Sequence, residues 1–276
     1  MISETFSISE VNKEATLTSY LWEKSEQLSD GISWQPELRP AVIVCPGGAY
    51  RFLSDREAEP VAMKFYSEGF QTFILRYSLL EECKYPTPLE EASRAIWLVR
   101  SHAKEWGIDP NKIAIGGFSA GGHFSALIGT RWNEEGLVER LGIPKGGNMP
   151  NALILCYAKM VPVEEPLSSM VPPETLGYIL RYYDKNADIL KNISKNTPPS
   201  FVWHTGQDEL VPVTESIAYA MRCAEEGVPF DLHVYSKGMH GLSLGNDLSD
   251  YGIKHPVNVE GWFTICTNWL KELFSF

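Results

Sequence analysis

Three observations predict an α/β fold, a mostly parallel sheet with helices on both faces. An unbroken apolar run at Ala41–Cys45 and further buried-strand segments at Phe70–Tyr77, Ala152–Tyr157 and Ser200–Thr205 are what strands covered on both sides require. Segments with apolar residues at helical spacing separate them. The stretch Ile113 to Thr130, IAIGGFSAGGHFSALIGT, runs from strand through a sharp turn into helix. Alternation of this kind is the signature of parallel strands joined by crossover helices.

Taken in order, residues 4–22 alternate apolar and polar about Asn12-Lys13, which predicts an antiparallel edge hairpin. The run at Ala41–Cys45 ends in Pro46-Gly47-Gly48-Ala49-Tyr50. Arg56 to Glu68 carries Val61, Ala62 and Phe65 at helical spacing, with Asp55 as N-cap and Gly69 as terminator. Pro88 to Trp106 reads as one long amphipathic helix with Ala92, Ile96 and Val99 on one face. After the serine-bearing turn and its helix come a loop-like stretch and the strand at Ala152. From 160 to 199 the regular alternation lapses around Pro162, Pro166, Pro172 and Pro173, and an insertion there is expected to cap the crevice. Helix Val213–Glu226, strand Pro229–Tyr235 and an apolar-faced helix Val259–Phe274 complete the chain. No repeat or linker divides it, so 1–276 reads as one domain.

Composition narrows the function classes. With 24 basic and 35 acidic residues the net charge is −11, so a phosphate-tracking surface is not expected and nucleic acid is a poor partner. Five scattered cysteines, Cys45, Cys83, Cys156, Cys223 and Cys266, lack metal-ligand spacing and are expected as reduced, mostly buried thiols. The start, MISETFSISEV, has no apolar leader and no run reaches membrane-span length, so a soluble, cytoplasmic chain with no membrane partner is expected.

The chemistry converges from three places. Ser119 is flanked by Gly117 and Gly121, the pattern of a serine held on a strained strand-to-helix turn. Asp208 and His240 each follow a later strand, so all three belong at one edge of the sheet. A serine hydroxyl needs a base that titrates near neutrality, and the imidazole needs a carboxylate to fix its tautomer. The order therefore suggests acyl transfer with Ser119 as nucleophile, His240 as base and Asp208 as orienting acid. Ala120 and Gly48 or Ala49 would supply oxyanion amides. His123 is expected to pack at a helix–sheet contact, His204 reads as a satisfied core histidine, and Glu209 is the weaker candidate acid.

Five motifs carry a family resemblance: Pro46–Tyr50, Gly117–His123, Thr197–Thr205, Asp208 with Val211-Pro212-Val213, and Gly238–Leu242. Together they resemble the α/β-hydrolase esterases of the acetyl esterase or acetylxylan esterase-like family. The resemblance implies an eight-stranded sheet, hydrolysis of short acyl esters, acetyl groups on a sugar among them, and no metal or organic cofactor. Cys45-Pro46-Gly47-Gly48 stands where the hormone-sensitive-lipase-like pattern has His-Gly-Gly-Gly, which leaves open which amide of 47–49 completes the oxyanion site. Tyr50 and Arg51, directly after the oxyanion loop, are candidates for substrate contact, and Trp132, Tyr157 and Tyr178 for a cap wall suited to a sugar ring. The alternatives are a serine peptidase of the same fold, which would need a recruiting domain, and a non-catalytic ligand-binding module.

Overall fold

A computed structural model describes residues 1–23, 38–161, 188–250, 252, 256 and 258–276. Eight strands form one sheet in the order β1-β2-β4-β3-β5-β6-β7-β8. They are β1 Thr5–Ser7, β2 Thr16–Tyr20, β3 Arg39–Cys45, β4 Gln71–Arg76, β5 Ile108–Phe118, β6 Ala152–Cys156, β7 Ser200–Thr205 and β8 Phe230–Tyr235. The edge pair β1 and β2 runs antiparallel to its neighbours. From β4 to β8 every pairing is parallel.

The buried-strand segments are explained by what lies on each face. Alternate residues of a strand point to opposite sides, so Ile43, Phe73, Ile115, Leu153, Leu155 and Val202 enter one core while Val42, Val44, Ile74, Ala114, Ile154 and Phe201 enter another. On the first side pack α2 Thr87–Ser101 and α4 Ala120–Arg131, through Leu89, Ile96, Phe124 and Leu127. On the second pack α1 Glu59–Ser67, through Val61 and Phe65, and the last helix, Gly261–Phe274, through Trp262, Phe263 and Leu270. All five cysteines are buried and free.

Strand order decides where a site can form. The chain leaves β3 toward β4 and leaves β5 toward β6, on the other side. Loops that depart in opposite directions open a crevice at the carboxyl ends of these two strands, the general location of ligand sites in open α/β sheets. The Pro46–Tyr50 loop and the Ser119 turn are those two loops.

Three local expectations need correction. Asp55 caps no helix; it opens a 3-10 turn, Asp55–Glu57, and its carboxylate lies 3.6 Å from the Arg76 guanidinium. The helix expected over Pro88–Trp106 is two, α2 and a short α3 Ala103–Trp106, joined at His102, whose ring nitrogen bonds the Leu98 carbonyl at 2.9 Å and whose ring stacks on Trp106. The serine-bearing strand, read from Ile113, begins earlier, at Ile108, and meets β3 with a register shift between Arg39 and Ala41. Most of the expected cap insertion, 162–187, lies outside the described residues. No helix among the described residues is long and apolar enough to cross a membrane.

Ile115 sits at the centre of the sheet with no exposed surface. Ile115→Ala is expected to lower the unfolding free energy by about 3 kcal/mol through lost contacts and a residual cavity. Urea titration checks this, and a loss below about 1 kcal/mol would contradict the packing described.

Candidate active site

Ser119 stands between β5 and α4 with φ 53° and ψ −115°, a conformation costly for any side chain with a Cβ. What holds it there is backbone on backbone. A Cβ at Gly117 would lie 2.4 Å from the Gly121 carbonyl oxygen, and one at Gly121 would lie 2.1 Å from that of Cys45. Only glycine permits this approach. The Ser119 amide donates to the Cys156 carbonyl at 3.0 Å, and its own carbonyl accepts from the His123 amide, starting the helix.

The three residues singled out from three separate strand ends meet. His240 Nε2 is 2.8 Å from Ser119 Oγ, and His240 Nδ1 is 2.7 Å from Asp208 Oδ2. The carboxylate can only accept from Nδ1–H, so Nε2 carries the lone pair that faces the serine hydroxyl. Glu209, the alternative acid, is exposed.

Asp208 is fully buried at its side chain. Oδ1 accepts the amides of Leu210 and Val211 at 2.9 and 2.8 Å, while Oδ2 accepts from both His240 and His204. Burial alone would raise its pKa, but the hydrogen bonds from His204 and His240, with the charge of His240, outweigh burial and hold the carboxyl well below the ordinary 3.8. His204 is the core histidine expected, and it also does something sequence reasoning missed. Its Nε2 faces two acceptors, Asp208 Oδ2 at 3.1 Å and the Val211 carbonyl at 2.9 Å, so Nε2 holds the proton and Nδ1 accepts from Ser216 Oγ at 2.8 Å. The four-residue spacing from His204 to Asp208 was the available signal, but a strand-to-turn spacing has no fixed meaning without the turn's geometry.

Beside Ser119, Gly48, Ala49 and Tyr50 have successive positive φ values of 131°, 53° and 57°. Such a run can turn successive amides toward one concavity. The Gly47 amide is already engaged, donating to Glu57 Oε2 at 2.8 Å. Ala120 is the first residue of α4, where amides lack an intrahelical acceptor.

The candidate substrate-contact residues divide. Tyr50 is 2% exposed with its hydroxyl 2.8 Å from His123 Nδ1, and its ring meets Tyr77 edge-on. Tyr157 is equally buried; its hydroxyl donates to Glu57 and accepts from the Ser243 amide. Both are corrected to interior residues, because a phenol flanked by internal partners gains more there than at an open wall. Arg51 is exposed, whereas Trp132 follows the last residue of α4, which leads away from Ser119, and donates to the Asn196 carbonyl ahead of β7, so it is corrected to a residue at the opposite edge of the sheet from the site. Tyr178 lies outside the described residues. An open cavity of about 790 Å³ adjoins His240, lined by Gly206–Leu210 and Gly238–His240. Among the described residues no group of three or more His, Cys, Asp or Glu is gathered as metal ligands.

A family model described as BD-FAE matches residues 34–150. The acetylxylan esterase of Xylanibacter ruminicola is 29% identical over 219 residues, spanning 74% of this chain and 41% of that protein. An α/β-hydrolase enzyme from a Medee basin deep-sea metagenome library is 30% identical, with 100% of this chain and 99% of its own aligned at a TM-score of 0.81. The acetyl ester-xyloside bifunctional hydrolase from Caldicellulosiruptor lactoaceticus is also 30% identical, aligned over 98% of this chain and 96% of its own at 0.77. The chain spans between a third and a half of the length of the first curated relatives it matches.

Because its folded pKa is depressed, Asp208 contributes stability that is complete above the ordinary carboxylate range and is lost as pH falls through the folded value. Asp208→Asn should therefore be less stable than the wild type by on the order of 2 kcal/mol at pH 7, with the gap closing progressively below about pH 4. Urea melts across pH 7 to 3 measure the gap, and one that stays constant over that range contradicts the assignment.

Proposed function

Since the chain belongs to the α/β-hydrolase family, among its esterase-like members, we propose that it is a serine carboxylesterase acting on short acyl esters, acetyl esters of sugars foremost. The observation that carries this reading is the continuous contact from Ser119 Oγ through His240 to Asp208. Such a contact has one evident chemical use. As Ser119 Oγ attacks an ester carbonyl, His240 Nε2 takes its proton, and the ionised Asp208 stabilises the imidazolium without itself being protonated.

The tetrahedral intermediate places negative charge on the former carbonyl oxygen. We assign Ala120 and Gly48 or Ala49 as its donors, since Gly47's amide is committed to Glu57. One such donor is worth about 3 kcal/mol of barrier. Collapse breaks the bond to the alcohol, which leaves with the proton from His240. Water then enters, His240 removes its proton, and acetate departs from Ser119 by the reverse sequence.

Support for a sugar alcohol as leaving group comes from the relatives, one named as an acetylxylan esterase and one as an acetyl ester-xyloside hydrolase. Arg51 is the remaining candidate among the described residues for a contact to that alcohol.

An organophosphonate ester is expected to label Ser119 alone, and Ser119→Ala to abolish turnover of 4-nitrophenyl acetate; turnover that persists in that variant rejects the mechanism. His240→Ala should lose at least about a thousand-fold in turnover, and a near-normal rate removes it as base. In a screen of acetylated mono- and oligosaccharides against butyryl and longer esters, acid release should be fastest from the acetyl sugars. A preference for long acyl chains on simple alcohols would reject the substrate class.

A further inference from the structure

Glu57 is a buried carboxylate that none of these steps uses. It ends the 3-10 turn beyond the glycine loop and is 3% exposed. A buried carboxylate is costly unless its oxygens are bonded. Here the bonds reach two separate parts of the site. Oε2 accepts the Gly47 amide at 2.8 Å, and Oε1 accepts the Tyr157 hydroxyl at 2.7 Å. The Tyr157 oxygen in turn accepts the Ser243 amide at 2.8 Å, three residues beyond His240. Gly47 itself is wedged between the two chemistries: a Cβ there would lie 2.6 Å from Glu57 Oε2 and 3.2 Å from Ser119 Cβ.

The bonding pattern identifies the charge state. An amide only donates, and the Tyr157 oxygen, which already accepts from Ser243, has a single proton, which it gives to Glu57. Both carboxylate oxygens therefore accept, as in the ionised form. The groups that face it are the Tyr157 hydroxyl and the Gly47 amide, with the charges of His240 and Arg56 close enough to act on it. Burial raises its pKa above the ordinary carboxylate value, and these donors and charges offset part of that rise.

We propose that Glu57 is a positioning residue of the ester-hydrolysing site: its carboxylate locks Gly47 so that the following amides turn toward the oxyanion, braces the His240 turn through Tyr157, and supports the imidazolium by its negative charge. This rests on the serine-esterase reading above. Glu57 touches no reacting atom. Its effect is exerted through the loop, through Tyr157 and through the field at His240.

The test uses the full chain and 4-nitrophenyl acetate, with wild type and Ser119→Ala as controls. Glu57→Gln keeps the shape but has one acceptor oxygen in place of two and no charge. It should lose roughly 10- to 100-fold in kcat with KM within about threefold, and its phosphonate labelling rate should fall in parallel. Removing a negative charge near His240 disfavours the imidazolium, so the acid limb of kcat/KM should move to lower pH by about half a unit. A residue needed only for folding would lower the melting temperature and leave that limb in place. Wild-type kcat and an unmoved limb in a folded Glu57→Gln overturn the proposal. Tyr157→Phe removes the bond to Glu57 and the acceptor of the Ser243 amide together, leaves the Gly47 bond in place, and is expected to lose about tenfold in kcat. If Glu57→Gln does not fold, Tyr157→Phe decides, and an unchanged kcat there rejects the brace. An inert wild type, or an active Ser119→Ala, sinks the esterase reading itself. Active wild type, dead Ser119→Ala and unaffected Glu57→Gln sink only the role given to Glu57.

Discussion

The contact on which the site depends is made of backbone alone. At the carboxyl end of β3 the Cys45 and Pro46 carbonyls lie so near the start of α4 that a single methyl on Gly121 would stand 2.1 Å from one and 2.5 Å from the other. That approach brings two loops, which the strand order sends in opposite directions, against each other at Ser119. It also confines Ser119 to a strained conformation from which its side chain has few directions to take. Sheet, helix and loop register all have to be right for this contact to close. The side chains at the site inherit their precision from it.

Buried acids fix the rest of that edge. Glu57 accepts the Gly47 amide after β3, and Glu91 accepts the Ser78 amide after β4. Glu215 accepts the amides of Met160 and Val161 after β6 while pairing with the buried Lys159. Asp208 accepts those of Leu210 and Val211 in the turn after β7. Loops at the carboxyl ends of parallel strands carry backbone donors that no strand or helix satisfies. A carboxylate set among them binds such donors strongly, because charge-assisted hydrogen bonds are about twice as strong as neutral ones. The same edge that must stay open to a substrate is thus held by anchors placed beneath it.

Asp208 combines this anchoring with electrostatic work. Its four hydrogen bonds keep it ionised against burial, and the His204 bond fixes the second lone pair of the oxygen that also faces His240. A carboxylate with one such neighbour is both oriented and moderated, since each donor that shares its charge reduces what remains for His240. The orientation of His240 is therefore set from behind Asp208 as well as in front of it.

The amino-acid sequence by itself determined the alternation of buried strands and helices, the antiparallel edge, the turn around Ser119 and the strand ends that carry Asp208 and His240. Those features are local: apolar runs, helical spacing and glycines at fixed offsets act within a few residues of chain. Tertiary structure decided what depends on residues far apart. Glu57 looks like one more polar residue at a helix start, and only the return of Gly47 and Tyr157 makes it a buried hub. Tyr50 and Tyr157 follow strand ends and stood as candidates for substrate contact, yet hydroxyl partners at His123 and Ser243 draw them inward. His204 became a neighbour of the acid because the turn after β7 folds Asp208 back onto it. Local pattern fixes which way a chain runs, whereas burial and the satisfaction of polar groups are settled only when distant segments supply the partners.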